Sequence, residues 1–300
     1  MAAGRIANLP TVFTNVLVGA VLATVARLGH AEFAAPIFGG RFCIALAAGT
    51  CLYIAGCFYN DYADRHWDAA HKPDRALPAG RIPAGLLLTF ILILAAFGTG
   101  LSTLLGGAGV GVAVWILAFI WVYTWSHKRT PLAIVPMGFC RGGLYLLGAV
   151  SVLPSAGMTS LPGLLLIVAV PALGLVAYIA GITLVARSEA TNTLPPAAKW
   201  IGLTLLMAPA LTHGIGTPRT PLMLVLLLAV IIVGMLAAQR RVERSVGGFV
   251  SLALAGICIV DGLLLLRVAP IIGMSTWIAL VIAIVGFLSA RLLQRYAPAT

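Results

Sequence analysis

Charge is what this sequence has least of. Only 9% of its 300 residues are charged, against about a quarter in a soluble domain, and just eight are acidic. With 61% hydrophobic residues and a mean hydropathy of +1.07, the chain cannot cover itself with a water-compatible surface, so lipid is its solvent. Paired cysteine motifs are missing too. Cys43, Cys51, Cys57, Cys140 and Cys258 are odd in number, form no C-x-x-C and lie in apolar stretches, so neither a disulfide frame nor a zinc site is expected. A cleavable leader is not apparent: Arg5 precedes Ile6-Ala7-Asn8-Leu9-Pro10 with no small-residue cleavage site before a soluble domain, and the first apolar run reads as a span. The residue alternation of a membrane β-barrel is absent as well. The net charge of +11 would suggest nucleic acid in a soluble protein, but its distribution here points elsewhere and no nucleic-acid partner is expected.

What is present is a series of long apolar runs. A hydrocarbon core about 30 Å thick takes about 20 apolar residues per helix. Ten segments qualify, roughly 11–28, 37–59, 84–105, 108–126, 132–153, 162–186, 198–216, 220–238, 247–267 and 271–290. Backbone groups in lipid must be satisfied within the segment, so the runs are helices. The expectation is an all-α integral membrane protein, one domain over 1–300 with nine to ten transmembrane helices. Placing the N-terminus in the cytoplasm puts 14 of the 19 Lys and Arg residues on the cytoplasmic side, the bias that sets topology. The cytoplasmic connections at about 60–83, 127–131 and 187–197 then carry most of the polar residues.

Four of the eight acidic residues, Asp61, Asp64, Asp68 and Asp74, lie between positions 61 and 74. If span two continues as helix, Asn60, Asp64 and Asp68 fall at i, i+4 and i+8 on one face, with Asp61 beside them. Like charges about 4 Å apart repel by about 4 kcal/mol at an effective dielectric near 20, so this cluster implies a cation. Oxygen-only donors favour Mg²⁺ or Ca²⁺, and Mg²⁺ usually binds one or two carboxylates together with phosphate oxygens and water. A phosphorylated ligand is implied with it. A solvated acidic helix end is the bland alternative, but acidic residues contribute little to topology. His66 and His71 lack a metal-binding frame and read as ordinary loop histidines.

Lys72, Arg75, Lys128 and Arg129 lie in neighbouring connections and are placed to meet a diphosphate, for which the planar fork of Arg is well suited. Positive-inside bias alone would also put them there. Arg141 is different. It lies nine residues into span five, about 14 Å along the helix, where a charge costs at least about 2.5–3.5 kcal/mol and calls for a partner or a function. Pro136, Gly138, Gly142 and Gly143 around it allow close approach by other groups. Asp261 and Arg267, in span nine, read as structural partners of other helices.

Asn60-Asp61-x-x-Asp64-x-x-x-Asp68, followed by Lys72-Pro73-Asp74-Arg75-x-Leu77-Pro78-x-Gly80, strongly resembles the first aspartate-rich loop of UbiA-type intramembrane prenyltransferases. Tyr123-x4-Lys128-Arg129 with Gly138 and Arg141-Gly142 is similar to the segment after that family's fourth helix, and Arg5…Asn8-Leu9-Pro10-Thr11…Asn15…Gly19 is similar to its first. The resemblance covers about residues 5 to 190. It implies a bundle of about nine helices, open laterally to the bilayer, in which Mg²⁺ and a polyprenyl diphosphate sit between two aspartate-rich loops. On that basis Asp61, Asp64 and Asp68, with Asn60, carry metal, and Asp64, Arg65 and Asp68 are catalytic. Lys72, Arg75, Arg65, Lys128, Arg129 and Arg141 meet the diphosphate, and Asn15 lines the pocket of a small acceptor. The second loop departs from the family pattern. Its only carboxylate is Glu189: either one metal is lost, or Glu189 as metal ligand holds it with Ser188 or Asn192 and more water, and a divergent branch such as the EboC-like proteins fits this pattern.

The implied reaction is Mg²⁺-dependent prenyl transfer to a small acceptor, aromatic or other, in a dry chamber that keeps water from an allylic cation. Tyr53, Tyr59, Tyr62, Trp121, Tyr123, Trp125 and Tyr145 lie near the relevant helix ends. Most are expected to form an interfacial belt, though any could offer a cation–π face. Rival readings are a transporter, which would place its site near the midplane, and a catalytically silent protein that binds lipid diphosphate. A bacterial inner membrane with the site facing the cytoplasm completes the expectation.

Overall fold

The computed structural model describes residues 5–27, 38–127, 129–153, 161–189, 195–212 and 245–296, with 233, 234, 236–238 and 240. Helices account for nearly all of these, and no strand occurs among the described residues. In chain order they are α1 (Leu9–Arg27), α2 (Gly40–His71), α3 (Ala84–Thr103), α4 (Gly107–Ser126), α5 (Ile134–Val152), α6 (Leu161–Ala186), α7 (Pro196–Leu206), α8 (Ala208–Thr212), α9 (Val246–Val268) and α10 (Thr276–Leu293). Eight helical segments among the described residues are long and apolar enough to cross a bilayer. These match the expected spans one to six, nine and ten. Expected span seven coincides in part with α7 and α8, which meet at Met207. The rest of span seven and most of span eight lie outside the described residues.

α1 is the hub. It packs against α2, α5, α6, α9 and α10, and Val12, Val16, Leu17, Val18, Ala20 and Val21 along it are shut off from the surface. Helices in lipid gain little from excluding water, so they associate through close van der Waals contact at small residues. The α1–α5 crossing shows this directly: a Cβ on Gly19 would stand 1.8 Å from the Tyr145 carbonyl oxygen, and one on Gly148 1.9 Å from that of Val16. The glycines flanking Arg141 work in the same way, Gly138 against the Val176 backbone and Gly143 against Ile116. By contrast α3, α4 and α10 form the rim, and Phe90, Leu92, Ile93, Phe97, Trp121, Trp277, Val281 and Leu288 point outward, where lipid would lie.

Alternation of direction brings the start of α1, the ends of α2, α4 and α6, and the starts of α5 and α9 to one end of the bundle. At 32 residues, α2 is about 48 Å long, too long for the hydrocarbon alone. Its last turns, which carry the aspartates, project beyond the apolar run. The helix continues to His71 and Lys72 N–H closes onto the Asp68 carbonyl, so the connection expected at 60–83 shrinks to 72–83. Residues 60–71 contain neither Gly nor Pro, and Pro73 ends the helix because it has no N–H to offer. At the opposite end Arg41 donates to the carbonyls of Ser151, Leu153 and Leu105. It thereby caps the C-terminus of α5, which explains a cation on the side that has few.

Candidate functional site

The expected stripe on α2 forms and faces inward. Asn60 and Asp68 are 6% and 2% exposed, and the side chains of Asp61 and Asp64 are 15% and 13% exposed. Carboxylates this enclosed need compensation. Arg75 Nη1 supplies it at 2.9 Å from Asp68 Oδ2 and 3.9 Å from Asp61 Oδ1. His127, just past α4, stands beside Asp64: Nε2 lies 3.2 Å from Oδ1 while Nδ1 faces the Thr124 carbonyl at 2.9 Å. A carbonyl only accepts, so Nδ1 carries a hydrogen. Asn60 Oδ1 and Asp68 Oδ1 remain buried without a hydrogen-bond partner among the described residues. Among those residues no three Asp, Glu, His or Cys side chains close into a ready metal cage. An oxygen-only donor set with two orphaned acceptors still fits a hard cation that brings its own water and phosphate ligands.

Behind this stripe lies a cavity of about 220 Å³, many times the roughly 30 Å³ share of one water. Arg5, Lys72, Arg75 and Arg141 line it with Asn8, Asn60 and Glu189. Ile116, Ile120, Leu144, Ile179, Ile182 and Leu254 make its apolar walls. A ring of four cations over an apolar well suits an anion that carries an apolar tail. Arg5 takes the left-handed backbone conformation at φ 40°, which costs energy for a residue with a Cβ. Its carbonyl is held by Asn8 N–H at 2.9 Å and Tyr53 O–H at 3.4 Å. Burial works against the Arg5 cation, but nearby acidic groups, Cys57 and Asp61 first among them, outweigh it and raise its affinity for its proton.

Arg141, 6% exposed, sits with its guanidinium 4.7 Å from the Tyr53 ring centroid. Its Nη1 donates to Thr11 Oγ1 at 2.7 Å and to Asn15 Oδ1 at 3.3 Å. One layer deeper, Asp261 on α9 is fully buried. It accepts from Thr14 Oγ1, from Asn15 Nδ2 at 2.8 Å and from the Tyr145 hydroxyl at 2.5 Å.

The residues expected from sequence thus divide. Asn60, Lys72, Arg75, Arg141 and Glu189 all reach the cavity, and Asp61, Asp64 and Asp68 stand just outside its lining. Three others are not brought to the cavity lining. Arg65 donates to the Tyr62 carbonyl at 2.8 Å and stacks on the Tyr62 ring at 4.3 Å. Arg129 stacks on Trp125 at 4.4 Å, away from the cavity. Asn15 is fully buried behind the wall, bridging Arg141 to Asp261. Lys128 lies outside the described residues. Glu189 also lies against the first turn of α9, where a Cβ on Gly247 would stand 2.8 Å from Oε1, a favourable place for an anion.

Sequence reasoning missed Arg5 and His127 as site residues and assigned most aromatics to the membrane interface. Tyr53 and Tyr123 instead line the cavity and Tyr145 lies fully buried. A signal for Tyr53 was present: positions 53, 56, 57, 60 and 64 share a face of α2 and read Tyr, Gly, Cys, Asn, Asp, a polar strip in an otherwise apolar span.

Comparison with known proteins points the same way. The model of the UbiA prenyltransferase family matches residues 13–248. The digeranylgeranylglyceryl phosphate synthase of Methanospirillum hungatei is 31% identical over 128 residues, covering 39% of this chain and 44% of that protein. The 4-hydroxybenzoate octaprenyltransferase of Yersinia pseudotuberculosis is 37% identical over 92 residues, 29% of this chain and 31% of that one. The chain therefore spans less than half the length of these relatives. In fold it is similar to the apo structure of a UbiA homologue from Aeropyrum pernix, with a TM-score of 0.58 at 18% identity over 87% of this chain and 98% of the other.

Proposed function

Because the chain belongs to the UbiA prenyltransferase family, we propose that it transfers a prenyl group from a polyprenyl diphosphate to a small acceptor within the membrane, with Mg²⁺ as cofactor. The observation that carries this reading is the cavity itself, with Arg5, Lys72, Arg75 and Arg141 around its polar part and an apolar well beside them. Such a cavity matches a diphosphate on a hydrocarbon chain. It sits at the end of the bundle where the cations collect, which supports a cytoplasmic mouth in a bacterial inner membrane.

Prenyl transfer breaks an allylic C–O bond, leaving diphosphate and a carbocation. The four cations stabilise the departing negative charge, and because they are already in place they need little reorganisation. Asn60, Asp61, Asp64 and Asp68 would hold Mg²⁺, which when bound neutralises phosphate oxygens. Arg75, which lines the cavity and pairs with Asp68, would share its charge with the diphosphate. Ile116, Ile120, Ile179 and Ile182 keep water from the carbocation, and Tyr53 and Tyr123 offer it aromatic faces. The carboxylates lie at the bundle end, unlike the midplane sites of transporters. One observation favours a second reading, a binding protein without turnover: Glu189, the second loop's only carboxylate, lies against α9.

The test is transfer by purified protein in nanodiscs. Labelled geranyl, farnesyl and geranylgeranyl diphosphates are supplied with a host metabolite extract and either Mg²⁺ or EDTA. The proposal expects prenylated product with Mg²⁺ and none with EDTA or in Asp64→Ala. Binding without product would establish the second reading, and neither binding nor product would sink both.

A further inference from the structure

Asp261 and Asn15, behind the cavity wall, have no part in the reading above, yet Asn15 accepts from one of its cations, Arg141, and donates to Asp261. We infer that Asp261 and Asn15 form a positioning unit that sets the Arg141 guanidinium for an anion in the cavity; this rests on the diphosphate site proposed above.

The argument starts from donors and acceptors. A carboxylate can only accept, so Asn15 must offer its NH₂ to Asp261, and its carbonyl oxygen is left facing the other way, onto Arg141 Nη1. Without that constraint the amide is free to flip. Flipped, it would set its own donors against a guanidinium that has only donors. Asp261 therefore dictates through Asn15 that Arg141 finds an acceptor on its inner side. Thr11 Oγ1 gives a second acceptor to the same nitrogen. All hydrogen bonds of Arg141 among the described residues leave from Nη1, while the guanidinium lies over the Tyr53 ring and lines the cavity. The rest of its fork is thus presented to a ligand. Asp261 itself is anchored independently by Thr14 and Tyr145, so its place does not depend on Arg141. The unit also joins three helices, α1, α5 and α9, through one chain of bonds. A buried charge in a bundle is costly without a partner, and the single amide puts one negative charge within two hydrogen bonds of the Arg141 cation.

The test is a double-mutant cycle on the full chain in nanodiscs, read as affinity for inorganic pyrophosphate by calorimetry at fixed Mg²⁺. Arg141→Gln lowers affinity by about tenfold or more, as loss of a charged contact does. Asp261→Asn keeps the shape and removes the charge. It lowers affinity by about tenfold, the lower end of what losing an outer partner costs a ligand site. Combined with Arg141→Gln it has no further effect. Tyr145→Phe removes a bond to the same carboxylate but leaves the Asn15 bridge, and its affinity stays within about twofold of wild type. Should Asp261→Asn fail to fold, Asn15→Ser takes its place in the cycle, since the shorter side chain cannot reach both partners.

Additive losses from Arg141→Gln and Asp261→Asn would overturn the inference and leave the diphosphate site standing, as would a Tyr145→Phe loss equal to that of Asp261→Asn. No pyrophosphate binding by wild type would overturn the inference and the proposed function together.

Discussion

Replacing Arg75 with Gln should move two affinities in opposite directions. Arg75 belongs to two sets of neighbours: it lines the cavity, and it holds Asp68 at 2.9 Å and Asp61 at 3.9 Å. For an anion it is a charged donor, worth about 1.5–3 kcal/mol. Its side chain is 29% exposed, so solvent screening favours the lower end, and pyrophosphate should bind about tenfold more weakly. For a cation it is a competitor. A charge about 4 Å from a carboxylate is worth about 4 kcal/mol at an effective dielectric near 20, and solvent screening at Arg75, 29% exposed, leaves about 1 kcal/mol. Mg²⁺ alone should then bind roughly fivefold more tightly to Arg75→Gln than to wild type. Calorimetric titrations with Mg²⁺ alone and with pyrophosphate alone, in nanodiscs, read the two effects separately. A loss of Mg²⁺ affinity would refute the reasoning, because it would mean that Asp61 and Asp68 do not face the cation site.

Three further outcomes follow from the same geometry. Gly148→Ala puts a methyl where the Val16 carbonyl oxygen stands, so thermal unfolding in detergent should show a loss of about 1–3 kcal/mol; an unchanged midpoint would mean the helices are not in such close contact. Tyr53→Leu removes the ring under Arg141 and should weaken pyrophosphate binding by a factor reflecting about 0.5–2 kcal/mol, with unchanged affinity as the contrary result. Leu144→Phe narrows the apolar well and should shift preference in competition assays toward shorter prenyl diphosphates, whereas an unaltered preference would place the tail elsewhere.

How much of this was legible in the sequence depended on the range of the interaction. Spans one to six, nine and ten could be read because each helix in lipid satisfies its own backbone and must be uniformly apolar. The Asn60, Asp64, Asp68 stripe could be read because helical spacing alone puts those residues on one face. Arg141 stood out because charge at that depth demands a reason. What could not be read depended on neighbours distant in the chain. Asp261 lies 246 residues from Asn15, and nothing in either local sequence says that they meet. His127 reaches Asp64 only because the ends of α2 and α4 are side by side. For Arg65 and Arg129 the chain position does not show that each lies on an aromatic ring three or four residues before it, Tyr62 and Trp125. Glu189 could be read as the one carboxylate of its loop, but its place beside the start of α9, 58 residues from Gly247, could not.

The central claim is that one cavity, ringed by Arg5, Lys72, Arg75 and Arg141, receives a diphosphate with its hydrocarbon tail. An experimental structure of the chain in nanodiscs with Mg²⁺ and a non-hydrolysable farnesyl thiodiphosphate tests it most directly. The account predicts density for the diphosphate among those four cations and beside Asn60, with the tail running along Ile179, Ile182 and Leu254. Ligand density on another face of the bundle, with this cavity left empty at saturating ligand, would contradict it.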